Sequence, residues 1–202
     1  MDSDDSRQTG ARRASDEPRN AGDPRASDEP RIWTIGHSSR TIDEFLSLLR
    51  THGIERIVDV RRHPGSRKHP HFNPEPLAGA LASAGVDYRA CADLGGRRAT
   101  RDDSPHTVWR NLSFRGYADY MDTAAFANAL ERLAALARSS RTAMMCSEAV
   151  WWRCHRSMIA DALKVRGWQV LHVLDEAPAK EHPYTSAASV VDGRLQYGSA
   201  PR

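Results

Sequence analysis

The stretch MMCSEAVWWRCHRSMIA, residues 144–160, packs two thiols, a carboxyl, an imidazole and two guanidinium groups into seventeen positions. Cys146, Cys154 and His155 are soft and borderline donors of the type that hold zinc or iron. The seven residues between the cysteines make a looser spacing than the paired-cysteine motifs of structural zinc sites. The same thiols could instead react, because a cysteine beside Arg153 and Arg156 at a helix start favours its thiolate. A third reading makes them small buried side chains at a tight strand-to-helix junction. A phosphatase-type anion loop does not fit: Arg153 lies one position too far from Cys146, and Glu148 would repel phosphate. Glu148 is a candidate for proton transfer.

Other groups with chemistry fall at the ends of apolar runs. IWTIG (32–36) is followed by His37, Ser38 and Ser39. IERIVDV (54–60) carries Asp59 and is followed by Arg61, Arg62 and His63. VDYRACADL (86–94) is followed by Gly95, Gly96 and Arg97. RTAMMCS ends in Cys146, with Glu148 next, and WQVLHVL (168–174) is followed by Asp175 and Glu176. In open α/β sheets, ligands bind outside the carboxyl ends of the strands. The expectation is therefore one polar cleft. His37, Asp59 and Glu148 would move protons, Arg61, Arg97, Arg115 and Arg156 would hold an anion, and the two cysteines would complete the catalytic set. Asp59 could equally pair with a neighbouring arginine for structure alone. Gly95-Gly96 is too short for a phosphate loop, and neither the Walker nor the dinucleotide fingerprint is present.

These residues need a scaffold, and the periodicities supply one. Thr41 with Glu44 forms a capping-box signature, and Ile42, Phe45, Leu46 and Leu49 follow at helical spacing up to Gly53. Residues 73–84 predict a second helix closed by Gly85. YADYM and TAAFANALERLAALARS predict further helices, the latter with Phe126, Leu130, Leu133 and Leu136 facing inward. Cys154–Arg166 predicts another, closed by Gly167. Asp192-Gly193 between β-formers predicts a hairpin. Strands alternating with helices predict an α/β fold, a mostly parallel sheet with helices on both faces. The expected organisation is a single domain from residue 32 to 202. Residues 1–31 precede it as a disordered tail, with ASDEPR repeated at 14–19 and 26–31 and almost nothing apolar to bury.

Composition bounds the partners. Of 202 residues 40% are hydrophobic, and the net charge is only +3. Between Arg56 and Arg115 eleven Lys or Arg face six Asp or Glu, ten of the eleven being Arg. Arginine suits bidentate contacts to phosphate or carboxylate. The expected partner is a phosphate-bearing small molecule or a nucleic acid, with no membrane. No apolar run approaches the ~18 residues of a span, and MDSDDSRQTG lacks a secretory signal's features. Three cysteines are too few and too scattered for a disulfide scaffold, so a cytoplasmic location is expected.

Several blocks together resemble the signature segments of the domain of unknown function 488 family. They are Thr34–Ser38, Asp59-Val60-Arg61 with Pro64 and Ser66, Leu94–Gly96, Phe114–Tyr117 with Tyr120-Met121, Met145–Glu148 and Cys154–Arg156. His182–Thr185, Asp192-Gly193 and Tyr197 are similar to its C-terminal end. The resemblance spans about residues 32–197 and implies a compact bacterial α/β domain with no assigned activity. Asp-Val-Arg after a strand also resembles rhodanese-like domains, but their cysteine loop is absent. An enzyme acting on a phosphate-bearing substrate and a non-catalytic nucleic-acid-binding or regulatory module with structural cysteines both remain open.

Overall fold

The computed structural model describes residues 29–198; the repeat-bearing tail expected at 1–31 lies almost entirely outside them. The elements in chain order are β1 (Arg31–Gly36), α1 (Ile42–Thr51), β2 (Arg56–Asp59), α2 (Pro74–Ser83), β3 (Asp87–Ala90), α3 (Leu112–Met121) and α4 (Ala124–Ser139). They continue with β4 (Thr142–Cys146), α5 (Arg156–Lys164), β5 (Gln169–Val173), β6 (Lys180–Glu181), β7 (Ser189–Val191) and β8 (Arg194–Gln196).

The main sheet has the order β3-β2-β4-β1-β5-β6. Its first five strands are parallel, and β6 adds an antiparallel edge that no periodicity announced. Side chains alternate between its faces, as strand geometry requires. Trp33, Ile35, Ile57, Ala143 and Met145 join Phe45, Leu49, Leu77 and Leu81 under α1 and α2. Ile32, Val58, Met144 and Val170 join Leu130, Leu133, Met158, Ile159 and Leu163 under α4 and α5. Helices thus cover both faces, and each fully buried Leu, Ile or Phe contributes roughly 1.5–3 kcal/mol.

Local chemistry explains most element ends. Thr41 Oγ1 accepts from the Glu44 amide and Glu44 returns the bond to the Thr41 amide, so the capping box forms. Gly53, Gly85 and Gly167 close their helices with φ of +60°, +73° and +79°, a region that costs a residue with a Cβ. Asp192 and Gly193 both have positive φ, the requirement of a two-residue hairpin turn joining β7 to β8.

Three expectations need correction. The run 86–94 is a strand only to Ala90 and then a 3-10 turn over Ala92–Leu94. Cys91 makes the last bond of the ladder, to the Asp59 carbonyl, and β2 ends there, so nothing remains to pair with. Cys154 is not in the first turn of a helix: it is extended (φ −131°, ψ 146°) after a 3-10 turn at Trp151–Arg153, and His155 caps α5. In α4, Phe126, Leu130 and Leu133 are buried but Leu136 is only half-buried, and Ala129, Ala134 and Ala137 complete the inward face.

β1 and β4 are neighbours, with Gly36 opposite Cys146. Their connections leave for opposite faces, α1 on one and α5 on the other. Such a switch point is where open α/β sheets form a ligand crevice at the strand ends. No helix among the described residues is long and apolar enough to cross a membrane. Gly36 is pressed so closely on the turn after β4 that an added Cβ would overlap the Glu148 carbonyl. Gly36→Ala is therefore expected to destabilise the fold by about 3 kcal/mol or more, read as a lower urea midpoint; an unchanged midpoint would contradict this packing.

Candidate functional site

The floor of the crevice is built by Asp59-Val60-Arg61 as the chain leaves β2. Asp59 and Arg61 form a buried two-pronged ion pair, Nε to Oδ1 at 2.8 Å and Nη2 to Oδ2 at 2.6 Å. Tyr88 donates its hydroxyl to Asp59 Oδ2 at 2.8 Å, and Arg61 also donates to the Phe72 carbonyl at 2.8 Å. Arg61 Nη1 meets His37 Nε2 at 3.2 Å, while His37 Nδ1 donates to the Ser38 carbonyl at 2.9 Å. His37 stacks on Phe72, and burial, then the Arg61 charge, lowers its pKa to about 4. Three residues assigned proton transfer and anion holding from sequence thus face one another. A buried ion pair saturated in this way gives a rigid surface.

Val60 links that floor to the thiols, because its carbonyl receives His155 Nε2 at 3.2 Å. A carbonyl only accepts, so the proton sits on Nε2 and the Nδ1 lone pair is free. Nδ1 points at Cys154 Sγ, 3.7 Å away. The donor atoms of Cys146, Cys154 and His155 all lie within 4.8 Å of one another. The two thiols are coupled: their mutual hydrogen bond is the largest influence on each, lowering the pKa of Cys154 and raising that of Cys146. The Gly95–Arg97 loop crosses this cluster, with Gly96 so close that a Cβ there would lie 3.0 Å from His155 Nδ1.

Arg156 is 1% exposed, and the described residues offer it a sulfur, a hydroxyl and a carbonyl but no carboxylate. It donates to Cys154 Sγ at 3.5 Å, to Thr34 Oγ1 at 3.4 Å and to the Glu148 carbonyl. Its position suits bracing the thiol turn, and nothing of it reaches the surface. Glu148 is exposed on the turn after β4. Arg97 is also exposed, held at φ 57° with its carbonyl bonded by Arg62 at 2.8 Å. Arg115 stands apart: it bonds the Trp109 carbonyl and lines, with Arg98 and Arg101, an open hollow of about 540 Å³. The structure therefore gathers Cys146, Cys154, His155 and Arg156 around one turn, brings the Arg97 loop over them, and leaves Arg115 outside.

Sequence reasoning overlooked a second buried network. Thr34 Oγ1 meets His172 Nδ1 at 2.7 Å, His172 Nε2 meets His182 Nδ1 at 2.9 Å, and His182 Nε2 meets Asp161 Oδ1 at 2.9 Å. Asp161 also receives the amide and hydroxyl of Thr185 and the hydroxyl of Tyr197. One assignment satisfies every atom: Arg156 donates to Thr34, Thr34 to His172, His172 to His182 and His182 to Asp161. Trp151 stacks on His172 at 4.4 Å, almost parallel. The available signal was a polar residue on a buried face, His172 within WQVLHVL and Asp161 within SMIADALK.

The sequence matches the family described as Domain of unknown function DUF488 over residues 41–163, more than half of the chain. No curated protein and no solved structure matches it.

His172 is held neutral by burial first, then by His182 and Arg156, its pKa falling to about 2. For His172 and His37 the folded pKa lies below the unfolded value near 6.5. Their contribution is complete above that value and declines on acidification, because the unfolded chain takes up the protons first. Each should remove about 1.4 kcal/mol per pH unit below pH 6.5, down to its own folded pKa. The urea midpoint is expected to fall from pH 7 to 4.5, and less steeply in His172→Gln; equal slopes in the two proteins would contradict the neutral buried imidazole.

Proposed function

The chain belongs to the Domain of unknown function DUF488 family, and from that premise and the geometry of the crevice we propose an enzyme acting on a phosphate-bearing substrate, a nucleotide or a nucleic acid. The observation that carries this reading is a thiol and imidazole cluster at a sheet switch point with arginines left over around it. Arg62, Arg97 and Arg153 are exposed and have no carboxylate partner among the described residues. Arg97 belongs to the loop packed on His155, and Arg153 immediately precedes Cys154. Guanidinium groups disposed in this way suit phosphate oxygens. Trp152, 54% exposed beside Arg153, offers a face on which a base can stack.

In this reading Arg97 and Arg153 bind and orient the phosphate. Glu148, the exposed carboxyl on the turn between the two cysteines, serves the proton transfer. Cys146, Cys154 and His155 form the reactive centre. His37, Asp59 and Arg61 hold the floor, and Arg156 fixes the turn that carries Glu148 and Cys154. One observation favours a non-catalytic nucleic-acid-binding module instead: Cys146 and Cys154 are only 6% and 3% exposed, as structural cysteines would be.

Binding of a short single-stranded oligonucleotide and of nucleoside phosphates, measured across salt concentrations, tests the phosphate contacts. Arg97→Ala is expected to weaken oligonucleotide binding roughly fivefold and reduce the salt slope by about one. Glu148→Gln should not weaken binding and should abolish turnover of whichever of these substrates the wild type converts. If neither Arg97→Ala nor Arg153→Ala alters binding, the phosphate reading fails. If Arg97→Ala weakens binding while Glu148→Gln changes no conversion, the binding module replaces the enzyme.

A further inference from the structure

We propose that Cys146, Cys154 and His155 form a tetrahedral zinc site with three protein ligands and a fourth position left for water or substrate. The inference names the cofactor of the site just described and rests on that site's geometry, not on the identity of its substrate.

Three features of the side chains support it. First, the distances fit. Zinc bonds of about 2.3 Å to sulfur and 2.0 Å to nitrogen at tetrahedral angles place S and N about 3.5 Å apart. Cys154 Sγ and His155 Nδ1 lie 3.7 Å apart, and Cys146 completes a triangle with all donor atoms within 4.8 Å. Second, His155 is prepared as a ligand. Metal-binding histidines donate their second ring N–H to a carbonyl or carboxylate, which fixes the tautomer and the ring plane. His155 Nε2 does this with the Val60 carbonyl, leaving Nδ1 as the donor turned towards Cys154. Third, Arg156 donates to Cys154 Sγ at 3.5 Å, a bond that fixes the position of the sulfur.

The donor set selects the metal. Two thiolates and an imidazole favour zinc over magnesium, calcium or manganese, whose preferred ligands are oxygen. Two thiolates also cancel the metal's dipositive charge, so exchanging their two thiol protons for the ion adds no net charge to this buried place. No fourth Cys, His, Asp or Glu joins the group among the described residues. Three protein ligands with one exchangeable position is the arrangement of catalytic rather than structural zinc. Its supports are stiff: Cys146 ends a central strand, His155 caps α5, and Gly96 holds the Gly95–Arg97 loop against the imidazole.

The protein purified without chelators or a histidine tag, with no substrate added, is analysed for metals and then titrated with cobalt(II) after metal removal. About one zinc per chain is expected in the wild type and in Cys91→Ala, since Cys91 lies outside the cluster, and less than a tenth of that in Cys154→Ala and Cys146→Ala. The cobalt form should show thiolate charge-transfer absorption and d–d bands of tetrahedral intensity, a readout on the wild type that survives any folding failure of the variants. Protein that carries no zinc and whose cobalt titration shows no thiolate band would overturn the proposal, as would zinc retained at full stoichiometry in Cys154→Ala. Nucleotide and oligonucleotide binding are measured separately, so loss of the zinc site and loss of the phosphate reading are distinguishable.

Discussion

The pairing of β1 with β4 is the constraint from which the rest of the crevice follows. Gly36 lies opposite Cys146, and the contact continues past both strands, His37 N–H to the Cys146 carbonyl and Ser38 N–H to the Ser147 carbonyl. The two chains then part to opposite faces of the sheet. Hydrogen bonding holds them together up to the point of divergence, and right-handed crossovers force them apart after it. The crevice is thus a consequence of topology, and it is lined by whatever side chains follow those strands. A glycine is required at position 36 because the backbone of the other turn occupies the space a side chain would need.

Burying so much polarity beneath the crevice is tolerable only because each group is bonded. An unpaired buried charge would cost several kcal/mol. Asp59 and Arg61 meet this condition directly, through a two-pronged pair with Tyr88, His37 and the Phe72 carbonyl as further partners. Arg156 meets it differently. It has no carboxylate beside it among the described residues, but its hydrogen bonds run through Thr34, His172 and His182 to Asp161, four groups away. The C-terminal segment contributes His182, Thr185 and Tyr197 to this chain. It is tied to the core by polar bonds that end next to the thiols, which gives a physical role to the HPYT segment and the final tyrosine.

The division of labour among the polar residues follows from their partners. Groups whose donors and acceptors are nearly all used, His37, Asp59, Arg61 and the His172–His182–Asp161 chain, stiffen the scaffold. Groups with capacity to spare, the Nδ1 lone pair of His155, the sulfurs, Glu148 and the exposed arginines, are the ones available to a ligand. The two sets meet at Val60, whose neighbours Asp59 and Arg61 hold one network while its carbonyl orients His155 in the other.

Much of this architecture was legible in the chain because its signals are local. Thr41 and Glu44 marked a helix start three residues apart, glycines marked helix ends, Asp192-Gly193 marked the hairpin, and apolar runs marked five parallel strands. The rule that α/β sites lie at strand carboxyl ends also placed Cys146 and the Asp59 stretch at the same end of the sheet. Periodicity reports which face a side chain takes, but not which strand lies beside it. The order β3-β2-β4-β1-β5 was decided only by tertiary packing, and with it the approach of His155 to Val60, across 95 positions, and of Thr34 to His172, across 138. The same packing turned Cys154 out of the helix and spent Asp59 and Arg61 on each other, because in a filled interior a polar group must bond to whatever neighbour the folded chain supplies.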